Sequence, residues 1–105
     1  MNANDTLKVG VIGVGHWGPN IIRNLISNPK ADLLMVCDID PEAFQRAQKR
    51  MNMSCEFTAD ADAVFTNPQI DAVVIATPPS THYRLVKAAL QAGKHVLCEK
   101  PFTLN

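Results

Sequence analysis

The stretch "DAVVIAT" (71–77) is β-branched and apolar on both faces, with Pro68 before it and Pro78 and Pro79 after it. A strand with no polar side must be covered twice, as at the centre of a parallel sheet with helices on both faces. The rest of the chain meets that requirement. "LKVGVI" (7–12), "DLLMVCD" (32–38) and "HVLCE" (95–99) read as further strands, and "SCEFT" (54–58) as a short one. Helical patterns alternate with them. "GPNIIRNLIS" (18–27) places Ile21, Ile22, Leu25 and Ile26 on one face, and a second helix over 41–52 is capped by Asp40, opened by Pro41 and faces Phe44, Ala47 and Met51 to the sheet. "DADAVFT" (60–66) is a short helix; the last one, capped by Ser80 or Thr81, carries Leu85, Val86, Ala89 and Leu90 and ends at Gly93 in the C′ position. Right-handed crossovers then predict the strand order 3-2-1-4-5, a doubly wound α/β sheet of Rossmann type in one domain over 1–105, stopping before a sixth strand.

Within that frame, "VIGVGHWGPNII" (11–22) has the pattern G-x-G-x-x-G between the first strand and the first helix, and Asp38 ends the second strand 20 residues after Gly18. Gly13 permits the tight turn, Gly15 lets backbone approach a pyrophosphate, and Gly18 lets the helix pack close to the sheet. Free N–H groups at the helix start meet the phosphates. Pro19 fits only in a first turn, so it marks where the helix begins. Asp38 accepts hydrogen bonds from adenosine ribose hydroxyls and its charge repels a 2′-phosphate; with Asp40 nearby and no arginine following to hold that phosphate, NAD is favoured over NADP. His16 and Trp17 fill the variable positions as backbone contacts, and Ile39 stands with Asp38 among the cofactor-binding residues.

Composition narrows the partners. Apolar residues make up 47% of 105 and charged residues 19%, an ordinary globular balance. Ten Lys and Arg offset ten Asp and Glu without forming a stripe, which argues against nucleic acid and an anionic membrane surface and leaves a small-molecule partner. The start "MNANDTLK" lacks the features of a signal peptide and no apolar run nears the roughly 18 residues of a membrane span, so a cytoplasmic protein is expected. Cys37, Cys55 and Cys98 read as buried thiols, and His16, His82 and His95 show no ligand spacing, so no metal is expected.

With "DAVVIATPPSTH" (71–82) and "GKHVLCEKP" (93–101), the chain resembles, over nearly its whole length, the glucose-fructose oxidoreductase / inositol dehydrogenase / rhizopine catabolism family of NAD(P)-dependent oxidoreductases. The resemblance implies that Thr77, Pro78, Pro79 and His82 contact the nicotinamide ribose and pyrophosphate. The rule that ligands bind beyond the carboxyl ends of strands, where their order reverses, points to the same loop. It further implies that Glu99 and Lys100 reach the cofactor, that Lys100 is the catalytic residue beside nicotinamide and substrate, and that the peptide before Pro101 is often cis. A lysine ammonium there holds the reacting hydroxyl and stabilises the alkoxide as hydride leaves its carbon.

Family enzymes continue into a substrate domain that usually supplies a histidine acid/base. The chain is therefore expected to be the amino-terminal NAD-binding part of a dehydrogenase acting on a secondary hydroxyl of a sugar, cyclitol or nucleotide sugar, and to be inactive alone. "GHWGPNIIRNL" most resembles members that oxidise nucleotide sugars at the 3-position. "HVLCE" as an exposed apolar edge predicts self-association and a homo-oligomer. A non-catalytic NAD-binding or redox-sensing module is the alternative, which has no need of a reactive Lys100; a CoA- or nucleotide-binding Rossmann domain fits Asp38 less well.

Overall fold

The structure is a computed structural model that describes residues 6–13, 18–51, 55–77 and 79–98. Its elements run β1 (Leu7–Ile12), α1 (Gly18–Ser27), β2 (Ala31–Cys37), α2 (Pro41–Met51), β3 (Glu56–Thr58), α3 (Ala61–Phe65), β4 (Ala72–Ile75), α4 (Pro79–Gln91) and β5 (His95–Cys98). All strand pairs are parallel and the order is β3-β2-β1-β4-β5, as the crossover rule requires.

Two apolar layers sandwich the sheet. On one face Val9, Val11, Val36 and Val74 meet Ile21 and Ile22 of α1 and Phe44 and Ala47 of α2. On the other, Ile12, Val73 and Ile75 meet Val64 and Phe65 of α3 and Leu85 and Ala89 of α4. Fully buried side chains such as Ile22 and Ile75 contribute about 1.5–3 kcal/mol each. The three-residue β3 is secured from outside its own sequence: Phe57 stacks on Phe44 of α2, ring centroids 4.6 Å apart.

Two apolar assignments are corrected. Ile26 is 48% and Leu90 59% exposed. Leu90 lies about 140° round the helix from Leu85, outside the arc that Leu85 and Ala89 turn to the sheet. Ile26, in the last turn of α1, lines a surface pocket with Arg23, Ser27 and Arg50 instead of facing the sheet. Met51 is outside the residues whose side chains are described.

The caps explain the boundaries. Asp40 Oδ1 accepts the Glu42 N–H at 3.0 Å, opening α2, and Asp60 Oδ1 accepts the Asp62 N–H at 3.0 Å, so Asp60 caps α3 from outside it. α4 starts at Pro79, so Ser80 and Thr81 lie inside its first turn and do not cap it; a proline with no N–H suits that first position. α4 closes on Gly93 at φ +81°, with Gly93 N–H to Leu90 O at 3.0 Å and Lys94 N–H to Ala89 O at 3.0 Å, a Schellman motif.

Gly10 was not singled out by the sequence pattern, yet it lets α3 seat. A Cβ there meets Val64 Cγ1 at 2.7 Å and Ile70 Cδ1 at 3.2 Å. At the same place β1 and β2 slip by one residue, Val9 pairing with Leu33 and Gly10 with Met35. A glycine inside an apolar strand was the available signal.

Candidate functional site

The register brings the strand ends to one level. Cys37 pairs with both Ile12 and Thr58, Ile12 with Ile75, and Ile75 with Cys98. The ladder runs one residue further through Gly13 N–H to Cys37 O at 2.8 Å, Ala76 N–H to Ile12 O at 2.8 Å and Asp38 N–H to Thr58 O at 3.1 Å. Gly13, Asp38 and Ala76 thus stand side by side on the carboxyl edge, where the strand order reverses between β1 and β4. This is where an open α/β sheet takes its ligand.

Gly13 is required there twice over. Its φ is +99°, and a Cβ falls 2.9 Å from Ala76 O and 3.0 Å from Ala76 C, backbone atoms that cannot step aside. Asp38 lies one residue past β2 and is half-buried, its Oδ1 accepting the Asp40 N–H at 2.8 Å. That bond holds the carboxylate over the sheet edge. Ile39 is 88% exposed, a large apolar side chain held in solvent beside it. Across the switch point, the Thr77 hydroxyl is buried and has no hydrogen-bond partner among the described residues. His82 is half-buried in the first turn of α4.

Gly18 and Pro79 open α1 and α4. Gly15, His16, Trp17, Pro78, Glu99, Lys100 and the Pro101 peptide lie outside the described residues. Among the described residues no group of three or more His, Cys, Asp and Glu is placed to hold a metal ion, and no helix is long and apolar enough to cross a membrane.

Cys37, buried beneath this edge, has its thiol pushed up to about 11 from 9.0, first by burial and then by the negative charges of Asp38 and Asp60. The folded state keeps this proton after the unfolded chain has lost it, so its stabilising effect is complete below pH 9.0 and fades as pH rises to about 11. Cys55 is half-buried, less covered than its sequence suggests, and burial raises its thiol too. Denaturant titrations from pH 8 to 11, run on wild type and Cys37→Ala, are expected to show stability falling across that range in wild type and a shallower fall in the variant. Equal slopes would refute the assignment. Neutral-pH thiol reagents are expected to spare Cys37 until the chain unfolds.

Lys94 has a structural role that its sequence surroundings do not signal. Lys94 Nζ donates to Asn67 O and to Ile70 O, each at 2.7 Å, tying the end of α4 to the loop before β4. Nothing local in "AGKHV" (92–96) marks it, because its partners lie more than 20 residues away.

Residues 7–105 match an oxidoreductase family defined by its NAD-binding Rossmann fold. The chain belongs to this Gfo/Idh/MocA family.

It is 33% identical over 99 residues to an inositol 2-dehydrogenase/D-chiro-inositol 3-dehydrogenase of Lactiplantibacillus plantarum, covering 93% of the chain and 28% of the relative. It is 37% identical over 99 residues to a UDP-N-acetylglucosamine 3-dehydrogenase of Acidithiobacillus ferrooxidans, covering 94% and 30%. Among solved structures, scyllo-inositol dehydrogenase from Lactobacillus casei with bound NAD(H) and scyllo-inositol aligns with a TM-score of 0.78 at 33% identity, covering 95% of this chain and 29% of that one. The chain spans less than a third of the length of these Gfo/Idh/MocA relatives.

Proposed function

We propose that this Gfo/Idh/MocA domain binds NAD as part of a dehydrogenase that oxidises a secondary hydroxyl of a sugar, cyclitol or nucleotide sugar. The observation that carries the reading is the pairing of Gly13 with Asp38 on one edge. A backbone position with no room for a Cβ stands level with a carboxylate held by its own loop. Gly13 makes the tight turn off β1 that the glycine motif needs, Gly15 lets the backbone approach the pyrophosphate, Asp38 accepts the ribose hydroxyls, and the exposed Ile39 offers the adenine an apolar surface. The buried Thr77 hydroxyl, with its donor unspent, suits the nicotinamide half of the cofactor. Gly15, Gly18, His16, Trp17, Pro78, Pro79, His82 and Glu99 complete the cofactor contacts in this reading.

Bound NAD supplies the hydride acceptor. Lys100 then holds the substrate hydroxyl and stabilises the oxygen as its proton is withdrawn. The named relatives support the substrate class, since two act on inositols and one on a nucleotide sugar. Substrate contacts and the acid/base belong to a further domain, as the relatives' greater length supports. The same reading makes the protein a cytoplasmic homo-oligomer. β5 stands at the edge of the described sheet with Leu97 46% exposed, which supports pairing with another copy.

Calorimetric titration of the chain with NAD and with NADP tests the reading. NAD is expected to bind about tenfold or more tightly, because the Asp38 carboxylate repels a 2′-phosphate. Equal affinities, or no binding of either, would overturn it.

A further inference from the structure

At the other end of the domain, a pocket of about 280 Å3 lies between the two helices of one sheet face, lined by Arg23, Ile26 and Ser27 of α1 and Arg50 of α2. Both helices start at the carboxyl edge of the sheet and run back toward the amino edge, so this lining lies away from Gly13, Asp38 and Thr77. Arg23 and Arg50 both line this pocket, and among the described residues neither pairs with a carboxylate. α1 has no acidic residue. The only one on α2 is Glu42, eight residues before Arg50 and so about 12 Å along the axis. Arg46 and Lys49 add positive charge between them.

Two like charges across one pocket repel until an anion joins them. Arg23 Nη1 spends one of its five N–H donors on Asn20 Oδ1 at 3.1 Å, which orients the group and leaves the others for a ligand. The Ser27 hydroxyl donates to Arg23 O at 2.7 Å and therefore presents an acceptor. Ile26 adds an apolar wall, 48% exposed. A planar carboxylate is satisfied by one guanidinium fork, whereas a tetrahedral phosphate dianion has oxygens and charge for two.

We propose that this pocket is a second ligand site, separate from the nucleotide edge, which takes the phosphate monoester of a small hydroxylated compound. The two arginines hold the phosphate, Ser27 accepts from a ligand hydroxyl, and Ile26 covers the carbon skeleton. The site is independent of whether the carboxyl edge binds NAD.

The test is a titration of isotope-labelled protein with glycerol 3-phosphate, followed at backbone amides, with and without excess NAD. Shifts are expected at Ile26, Ser27 and Arg50, at millimolar concentrations and unchanged by NAD. Arg23→Gln and Arg50→Gln are each expected to weaken binding about tenfold, and Arg50→Lys by less, because it keeps the charge and loses the fork. Both arginines are exposed, so the variants keep the wild-type amide spectrum elsewhere. Glycerate, which carries a carboxylate instead, is expected to bind at least several-fold more weakly. Shifts confined to the carboxyl edge, affinity unaltered in both glutamine variants, or glycerate binding as well as glycerol 3-phosphate would each overturn the proposal.

Discussion

Titrated with NAD, Asp38→Ala is expected to bind roughly 10- to 100-fold more weakly than wild type. Hydrogen bonds from ribose hydroxyls to a carboxylate are charge-assisted, and each contributes about 1.5–3 kcal/mol. The carboxylate is already oriented, because Oδ1 accepts the Asp40 N–H at 2.8 Å and the Asp38 N–H donates to Thr58 O at 3.1 Å. Little ordering remains to be done when a ligand arrives. Asp38 is half-buried, outside both apolar layers, so truncation leaves the core intact and the loss is read as binding and not as unfolding. The same variant is expected to narrow the gap between NAD and NADP, since the repelling charge is gone. Calorimetry showing unchanged NAD affinity in Asp38→Ala would remove Asp38 from the site.

Gly13→Ala is expected to be strongly damaging. The residue sits at φ +99°, where an L side chain is strained by about 1–3 kcal/mol, and the new Cβ is driven to 2.9 Å from Ala76 O. Overpacking against backbone adds about 1–3 kcal/mol more, in a domain whose whole stability is about 5–15 kcal/mol. Gly93→Ala is the matched control: its φ of +81° imposes strain, but a Cβ there meets nothing within 4 Å. Urea unfolding is expected to rank wild type above Gly93→Ala and Gly93→Ala well above Gly13→Ala, with NAD binding lost only in the last. Equal destabilisation of the two variants would mean that the close approach to Ala76 has no energetic weight.

The residues proposed to bind the cofactor are readable in the sequence because their signals are local. Gly13 and Asp38 stand out by turn chemistry and by their position after an apolar run, and both lie at the strand ends where the sequence places them. Asp40 and Gly93 act at helix termini through bonds spanning two to five residues, which a sequence window contains, whereas Asp60, expected inside the short helix, caps it from outside. The start of α4 is ambiguous in the sequence, because Pro79 serves as its first residue while Ser80 and Thr81 also look like caps. Gly10 and Lys94 were passed over because what they touch is remote in the chain, Val64 for one and Asn67 with Ile70 for the other.

By itself, then, the sequence determined the alternation of strand and helix, the parallel order that right-handed crossovers impose, and the glycine and acidic positions at the ends of β1 and β2. These follow from periodicity and backbone preference, which act over a few residues. Only the tertiary structure decided the common level of the strand ends, the seat of Val64 on Gly10, the exposure of Ile26 and Leu90, and the pocket that Arg23 and Arg50 both line. Those depend on how far apart two packed elements come to rest, a distance set by the side chains of both.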